Sequence, residues 1–234
     1  MLKQLPIIVF RWPSTGSPCG SLRVAACATV PAVLAGVGLG YVLVVRRFRG
    51  REVLDDAVTL PLLLPPSVLA YYLLVLLARD SALGRLYERI AGVPLLFTWQ
   101  AAVLAALLYS VPLMTRSAQS AFAGIEPACL KSARTLGARE WRVFARLALP
   151  LAARPLAAAS ILVFARCLGE FGITLMIAGN LPGQTQTLPL AVYEAVGKGQ
   201  GQTALLLALA VSALALLCLV AAGRVSRVRF GLLK

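Results

Sequence analysis

The 234-residue chain contains no histidine. That excludes a histidine-based catalytic triad, a histidine metal site and an imidazole proton shuttle. Acids are scarce, with 9 Asp and Glu against 23 Lys and Arg, and the net charge is +14. The five cysteines, Cys19, Cys27, Cys129, Cys167 and Cys218, form no CxxC pair. Three of them sit inside apolar runs, where cysteine acts as a small apolar filler. No G-x-x-x-x-G-K-[ST] stretch is present. GKGQG at Gly197 to Gly201 lacks the spacing and the strand and helix that frame such a phosphate cradle, so the sequence offers no nucleotide-phosphate site of that kind. No cleavable secretory leader is expected in the N-terminal stretch. The apolar stretch near the N-terminus is short and bracketed by Pro6 and Arg11, so residues 1–20 read as a retained tail.

Apolar residues are what the chain has in excess. They make up 59% of it, charged residues only 14%, and mean hydropathy is +0.83. A water-facing globule of this size cannot hide so much apolar surface, so the bilayer is the expected solvent. The basic balance fits a membrane surface or nucleic acid. No basic stripe interleaved with aromatics occurs, which argues for the membrane and against a nucleic-acid partner.

Five stretches approach the roughly 20 apolar residues that a span requires. They are Ser21 to Val45, Val58 to Ala78, Phe97 to Thr115, Leu151 to Leu168 and Thr203 to Gly223, with a continuation of the fourth to Ile177 left open. The expected fold is an all-α membrane bundle of five, at most six, transmembrane helices in one domain, residues 21–234. The Lys and Arg residues distribute unevenly between the two sides. Fifteen collect around Arg46 to Arg51, Arg116 to Arg154 and Arg224 to Lys234, against seven on the other side, with Arg166 inside a span. Cytoplasmic loops carry the excess of positive charge. The N-terminus is therefore expected outside, the C-terminus inside, and the loop of about 116–150 in the cytoplasm.

Glycine and proline are placed within the spans. Gly36 and Gly40 have GxxxG spacing, which lets helices approach closely in lipid. Pro65 and Pro66 close the run LLPP and are expected to bend the second span beside the translocation path. At the end of the fourth span, Gly169, Glu170, Phe171 and Gly172 follow Arg166 by one helical turn. An ionisable residue at membrane depth is costly and points to function. Glu170 paired with Arg166 reads either as a lock on helix register or as part of a hinge, with Phe171 a movable plug between two glycines. Ser67, Thr115, Thr174, Thr185 and Thr187 could offer hydroxyls to an anion or serve as ordinary caps.

The cytoplasmic loop is patterned. Glu126 and Pro127 suit a helix start, and Gly137 suits the left-handed residue that ends one. A short helix is expected over Pro127 to Leu136 and a second from about Arg139. On the second, Trp141, Phe144 and Leu147 or Ala148 share one face, and Arg139, Arg142 and Arg146 another.

In Lys131 to Pro150, Ala133, Gly137, Leu147, Leu149 and Pro150 keep the spacing E-A-A-x3-G-x9-I-x-L-P. This resembles the EAA loop of ABC importer permeases, with Lys131 in place of the Glu and Ser132 in place of the first Ala. The phrases ARCLGEFG, GNLPGQTQTLP, LPLLLPPSVL, GRLYERIAG and ARTLGAREWRVF resemble the molybdate permease family from about Ser21 to Arg229. The resemblance implies a type I (MetI-like) fold working as a homodimer. It implies a cytoplasmic ATPase that carries ATP and Mg, a periplasmic molybdate-binding protein, and no cofactor in this chain. It places ATPase coupling at Glu126, Ala133, Arg134, Leu136, Gly137, Leu149 and Pro150. Pro65, Pro66, Arg166, Gly169, Glu170, Phe171 and Gly172 would then form the gate. Sulfate is the alternative cargo, and an ion-gradient-driven transporter the alternative class. The latter folds carry internal repeats, and none is visible in this sequence.

Overall fold

The computed structural model describes residues 18–46 and 48–227. Of the tail set apart above, residues 1–17 lie outside the described residues, as do Arg47 and the basic residues beyond Arg227. Residues 18–20 already belong to the first helix.

Eleven α-helices and one π-helical turn make up the described residues. They are α1 (Pro18–Val45), α2 (Arg51–Leu63), α3 (Pro66–Leu77), α4 (Ala82–Ala91), α5 (Trp99–Ala123), α6 (Pro127–Thr135), α7 (Glu140–Val143), the π-helical turn (Phe144–Ala148), α8 (Leu149–Leu168), α9 (Gly172–Ile177), α10 (Leu188–Gly197) and α11 (Gly201–Arg227). Four units are long and apolar enough to cross a membrane: Gly20–Val45, Trp99–Ala123, Glu140–Leu168 and Gly201–Ser226. α2 and α3 pass the same test only as a pair, bent by 109° at the break between them, which makes a fifth crossing if the pair is one span.

The bend lies where Pro65 and Pro66 were expected to make one, but it divides the expected span of Val58 to Ala78 into two helices, the first of which starts at Arg51. Pro65 and Pro66 withhold two amide donors, and the residue before a proline is pushed out of the helical region. Leu64 accordingly sits at φ −81°, ψ 141° and Pro65 at φ −57°, ψ 141°. The loop expected over 116–150 is also shorter than the sequence suggested. α5 runs on to Ala123, and Arg116, which ended the expected span, pairs with α2. Its Nη1 donates to Asp55 Oδ2 of α2 at 2.9 Å, and Gln119 Nε2 donates to Asp55 Oδ1 at 2.7 Å.

At the other end, α7, the π-helical turn and α8 form one rod from Glu140 to Leu168. Leu149 N–H donates to Phe144 O, five residues back. This wide turn precedes Pro150, whose ring would crowd the carbonyl of an ordinary turn. The rod ends at Gly169 and does not continue to Ile177, because Gly169 to Phe171 break the helix before α9.

α1, α5 and α8 form the central layer. A Cβ on Gly36 would come within 2.6 Å of Met114 Cβ, and one on Gly40 within 2.6 Å of Ala118 Cβ. The GxxxG pair thus lets α1 lie directly on α5. The core there is built of alanines (Ala25, Ala28, Ala32, Ala106, Ala118 and Ala152), with Met114 and Val163 filling the gaps. A second core joins α3, α5 and α9 through Leu69, Ala70, Ala105, Tyr109, Ile173 and Ile177. Large apolar side chains on α3 and α11 point outward, among them Tyr71, Val75, Leu209 and Leu217. In water that surface would drive aggregation, whereas in a bilayer it is the expected covering.

Candidate functional site: a loop and a gate joined by one rod

The loop is built around a left-handed turn. α6 begins at Pro127, with Glu126 as its N-cap residue; the Glu126 side chain makes no capping bond and acts only as an acid at the positive end. Leu130 is buried against the bundle and Ala133 packs beside it. Gly137 takes φ +78°. Its N–H donates to Arg134 O at 3.0 Å, and Ala138 N–H donates to Ala133 O at 3.2 Å. A side chain at this φ is strained, which explains the glycine. Across the turn Arg134 grips Glu140, through Nε to Oε1 at 2.8 Å and Nη2 to Oε2 at 3.4 Å. The fork fixes α6 to the start of the rod. Leu136, at the tip, is 87% exposed.

Two expectations for the loop change. Trp141 is exposed and does not share the packed face, which is made by Val143, Phe144, Leu147 and Ala148. The π-helical turn shifts the angular spacing that a 3.6-residue period assumes. Leu149 and Pro150 stand in the rod, beyond α7 and the π-helical turn, and not at the tip with Leu136 and Gly137.

The predicted gate residues largely come together. Arg166 Nη1 lies 2.8 Å from Glu170 Oε2. Glu170 is buried, and its Oε1 accepts the N–H of Ile173 at 3.2 Å, so the carboxylate also holds the start of α9. The Arg166 guanidinium sits 4.9 Å above the Tyr109 ring, a cation–π contact. Tyr109 Oη donates to Leu64 O at 3.1 Å, at the bend of α2 and α3. A Cβ on Gly172 would come within 3.2 Å of Pro66 Cβ. The ion pair and the proline bend are therefore one structure, with Tyr109 as the link. Tyr109 was not singled out from the sequence, although it is the sole tyrosine in the third apolar run.

Gly169 and Phe171 line an open pocket of about 420 Å³ with Pro189, Val192, Tyr193 and Val211. The rings of Phe171 and Tyr193 are 5.4 Å apart. Two of the five candidate hydroxyls are taken up by the fold. Thr115 bonds Val111 O, Thr185 bonds Gly179 O, and Thr187 is buried with Oγ1 unpaired.

The family described as the binding-protein-dependent transport system inner membrane component matches residues 32–228. The chain is 43% identical over 179 residues to the permease protein YvgM of Bacillus subtilis (strain 168), covering 76% of this chain and 79% of that one. It is 38% identical over 216 residues to the molybdenum transport system permease protein ModB of Escherichia coli (strain K12), covering 90% and 94%. Among solved structures, an inward-facing form of the MetNI methionine ABC transporter matches with a TM-score of 0.71 at 15% identity, over 96% of this chain and 98% of that chain. At that identity the likeness concerns the fold. The helical bundle of the described residues thus has an explanation: this multi-pass chain belongs to the family of binding-protein-dependent transport system inner membrane components, with the type I ABC importer permease fold.

Proposed function

We propose that the chain is the membrane-spanning subunit of an ATP-driven importer that passes molybdate, and tungstate with it, into the cytoplasm. One observation carries the reading. A short helix bearing an exposed Leu136 is clamped by Arg134–Glu140 to a rod that ends in the Arg166–Glu170 gate. Such a helix fits a cleft in an ATPase. Movement of the cleft on ATP binding would shift α6, and the clamp would pass that shift into the rod. The anion follows from the family likeness and from relatives such as ModB.

ATP and Mg belong to the partner ATPase, and this chain performs no chemistry itself. A second copy of the chain completes the path, since one bundle of this size encloses no wide polar channel. A periplasmic binding protein delivers the anion. The basic excess orients α6 and the C-terminus to the cytoplasm and the N-terminus outward.

The test is molybdate uptake and ATP hydrolysis in liposomes holding this chain, its ATPase and its binding protein, with Gly137→Pro alongside. Proline cannot adopt φ +78° and would lose the bond to Arg134 O. The wild type should transport. The variant should insert but bind ATPase poorly or hydrolyse without uptake. Normal transport by the variant would remove the loop from the mechanism. Uptake driven by an ion gradient without ATP would replace the reading with a secondary transporter. Uptake of sulfate in preference to molybdate would change the cargo.

A further inference from the structure

We infer that Arg166 is the oxyanion-contacting residue of the translocation path, with the Glu170 carboxylate occupying its place while no substrate is there. The inference rests on the importer reading above and names the chemistry at its gate.

The two partners of the pair are unequally exposed. The Glu170 side chain is 5% exposed and the Arg166 side chain 37%. A charged guanidinium is too costly to leave facing acyl chains. The open part of Arg166 therefore faces water in the path or the second subunit. One of its terminal nitrogens engages Glu170, and its flat face rests on Tyr109. A guanidinium carries five donors in a fixed fork that fits tetrahedral oxyanions bidentately. Donors beyond the one facing Glu170 can therefore meet an incoming anion.

The charges decide the order of events. Glu170 offers one negative charge and a tetrahedral oxyanion such as molybdate offers two, so the anion attracts the guanidinium more strongly at equal distance. The displaced Glu170 keeps the Ile173 N–H on its other oxygen, and the cost of its unpaired buried charge drives Arg166 back once the anion has left. The carboxylate stays within one helical turn and repels the dianion. A path must bind its cargo firmly enough to admit it and weakly enough to release it. An arginine with a tethered competing carboxylate meets both needs. The exchange also loosens the tie from Arg166 through Glu170 to α9, which carries the Gly172 contact with Pro66. Arrival of the anion and opening of the bend then become one event.

The experiment uses the full complex in liposomes and reads molybdate uptake, with assembly followed by gel filtration. Failure of the wild type to take up molybdate would sink the importer reading itself. With a transporting wild type, Arg166→Glu/Glu170→Arg is compared with Arg166→Lys. The reversed pair retains an ion pair one turn apart, so a purely structural lock predicts rescue. Contact with the anion predicts that uptake falls at least about tenfold, since the cation has moved to the buried position, while Arg166→Lys retains about a tenth to a third of the wild-type rate. Uptake by the reversed pair within about threefold of wild type overturns the inference. If the reversed pair does not assemble, Arg166→Gln/Glu170→Gln decides. A neutral pair that assembles but loses uptake supports the anion contact, and one that transports normally refutes it.

Discussion

Gly40 is where a single atom sets the distance between two helices. Its hydrogen faces Ala118 Cβ, and Thr115 O lies 3.0 Å from where a Cβ would stand. Gly40→Val should force α1 off α5 and cost about 1–3 kcal/mol, as overpacking does. Thermal unfolding in detergent would read this as a lower midpoint, whereas the same change at Gly38, which faces nothing within 4 Å, should leave it near wild type. Tyr109 offers a finer cut. Tyr109→Phe keeps the ring under Arg166 and removes only the donor to Leu64 O. A loss of about 1 kcal/mol in stability is expected, with a change in gate kinetics if the bend and the ion pair act together. A larger fall, equal to that of Tyr109→Ala, would mean that the ring contributes nothing. The Gly36 and Gly40 spacing was legible in the sequence because it is a local pattern. Tyr109 was not, because its importance comes from Leu64 and Arg166, far away along the chain.

Among the elements, the paired prolines announced the break between α2 and α3, though not its 109° angle, which depends on what the two halves pack against. The length of α5 was hidden by Arg116. A lone charge reads as the end of a span until its partner Asp55, 61 residues away, is known. The π-helical turn was equally invisible, since it arises from Pro150 acting on backbone that precedes it.

The segment before α10 allows a prediction of its own. Glu194 accepts from Lys198, Asn180 and Gln186. The Lys198 ammonium, first, and then the two amides hold its carboxyl below the ordinary value of 4.5. The sign follows: these bonds contribute fully above the ordinary value and fade as pH falls through the lowered one. Limited proteolysis of the 178–187 segment should therefore be slow at neutral pH and accelerate in acid. Glu194→Ala should be cleaved readily at every pH, and a flat profile in the wild type would contradict the role given to Glu194.

For the molecule as a whole, orientation is the property most open to a direct check. Cys129 lies exposed on α6. A membrane-impermeant maleimide should label it in inside-out vesicles and leave it untouched in intact spheroplasts, with Cys129→Ser as the control. Labelling from the outside would reverse the assignment drawn from the basic residues. The all-helical membrane fold and the left-handed turn at Gly137 were readable from composition and spacing, since each follows from what lipid forbids or from a local turn. The convergence of Pro66, Tyr109, Arg166, Glu170 and Gly172 was readable only in part. Its members lie on four helices and in the break between α8 and α9, and hydropathy says nothing about which faces meet.

The π-helical turn gives the rod a property that neither of its ends possesses. A straight α-helix of the same 29 residues would be ~43 Å long and would hold a fixed angular relation between Glu140 and Arg166. The wide turn takes up one residue without advancing the rotation that such a residue normally brings, about 100°. The phase of the gate relative to the loop is thus stored in five residues, Phe144 to Ala148. If that turn tightened to an ordinary helix, everything beyond it would rotate, and Arg166 would leave the face of Tyr109 without any helix having bent. Under the coupling proposed above, the rod would transmit an angle as well as a displacement, so that a twist as much as a push would pass from α6 to the Arg166–Glu170 pair.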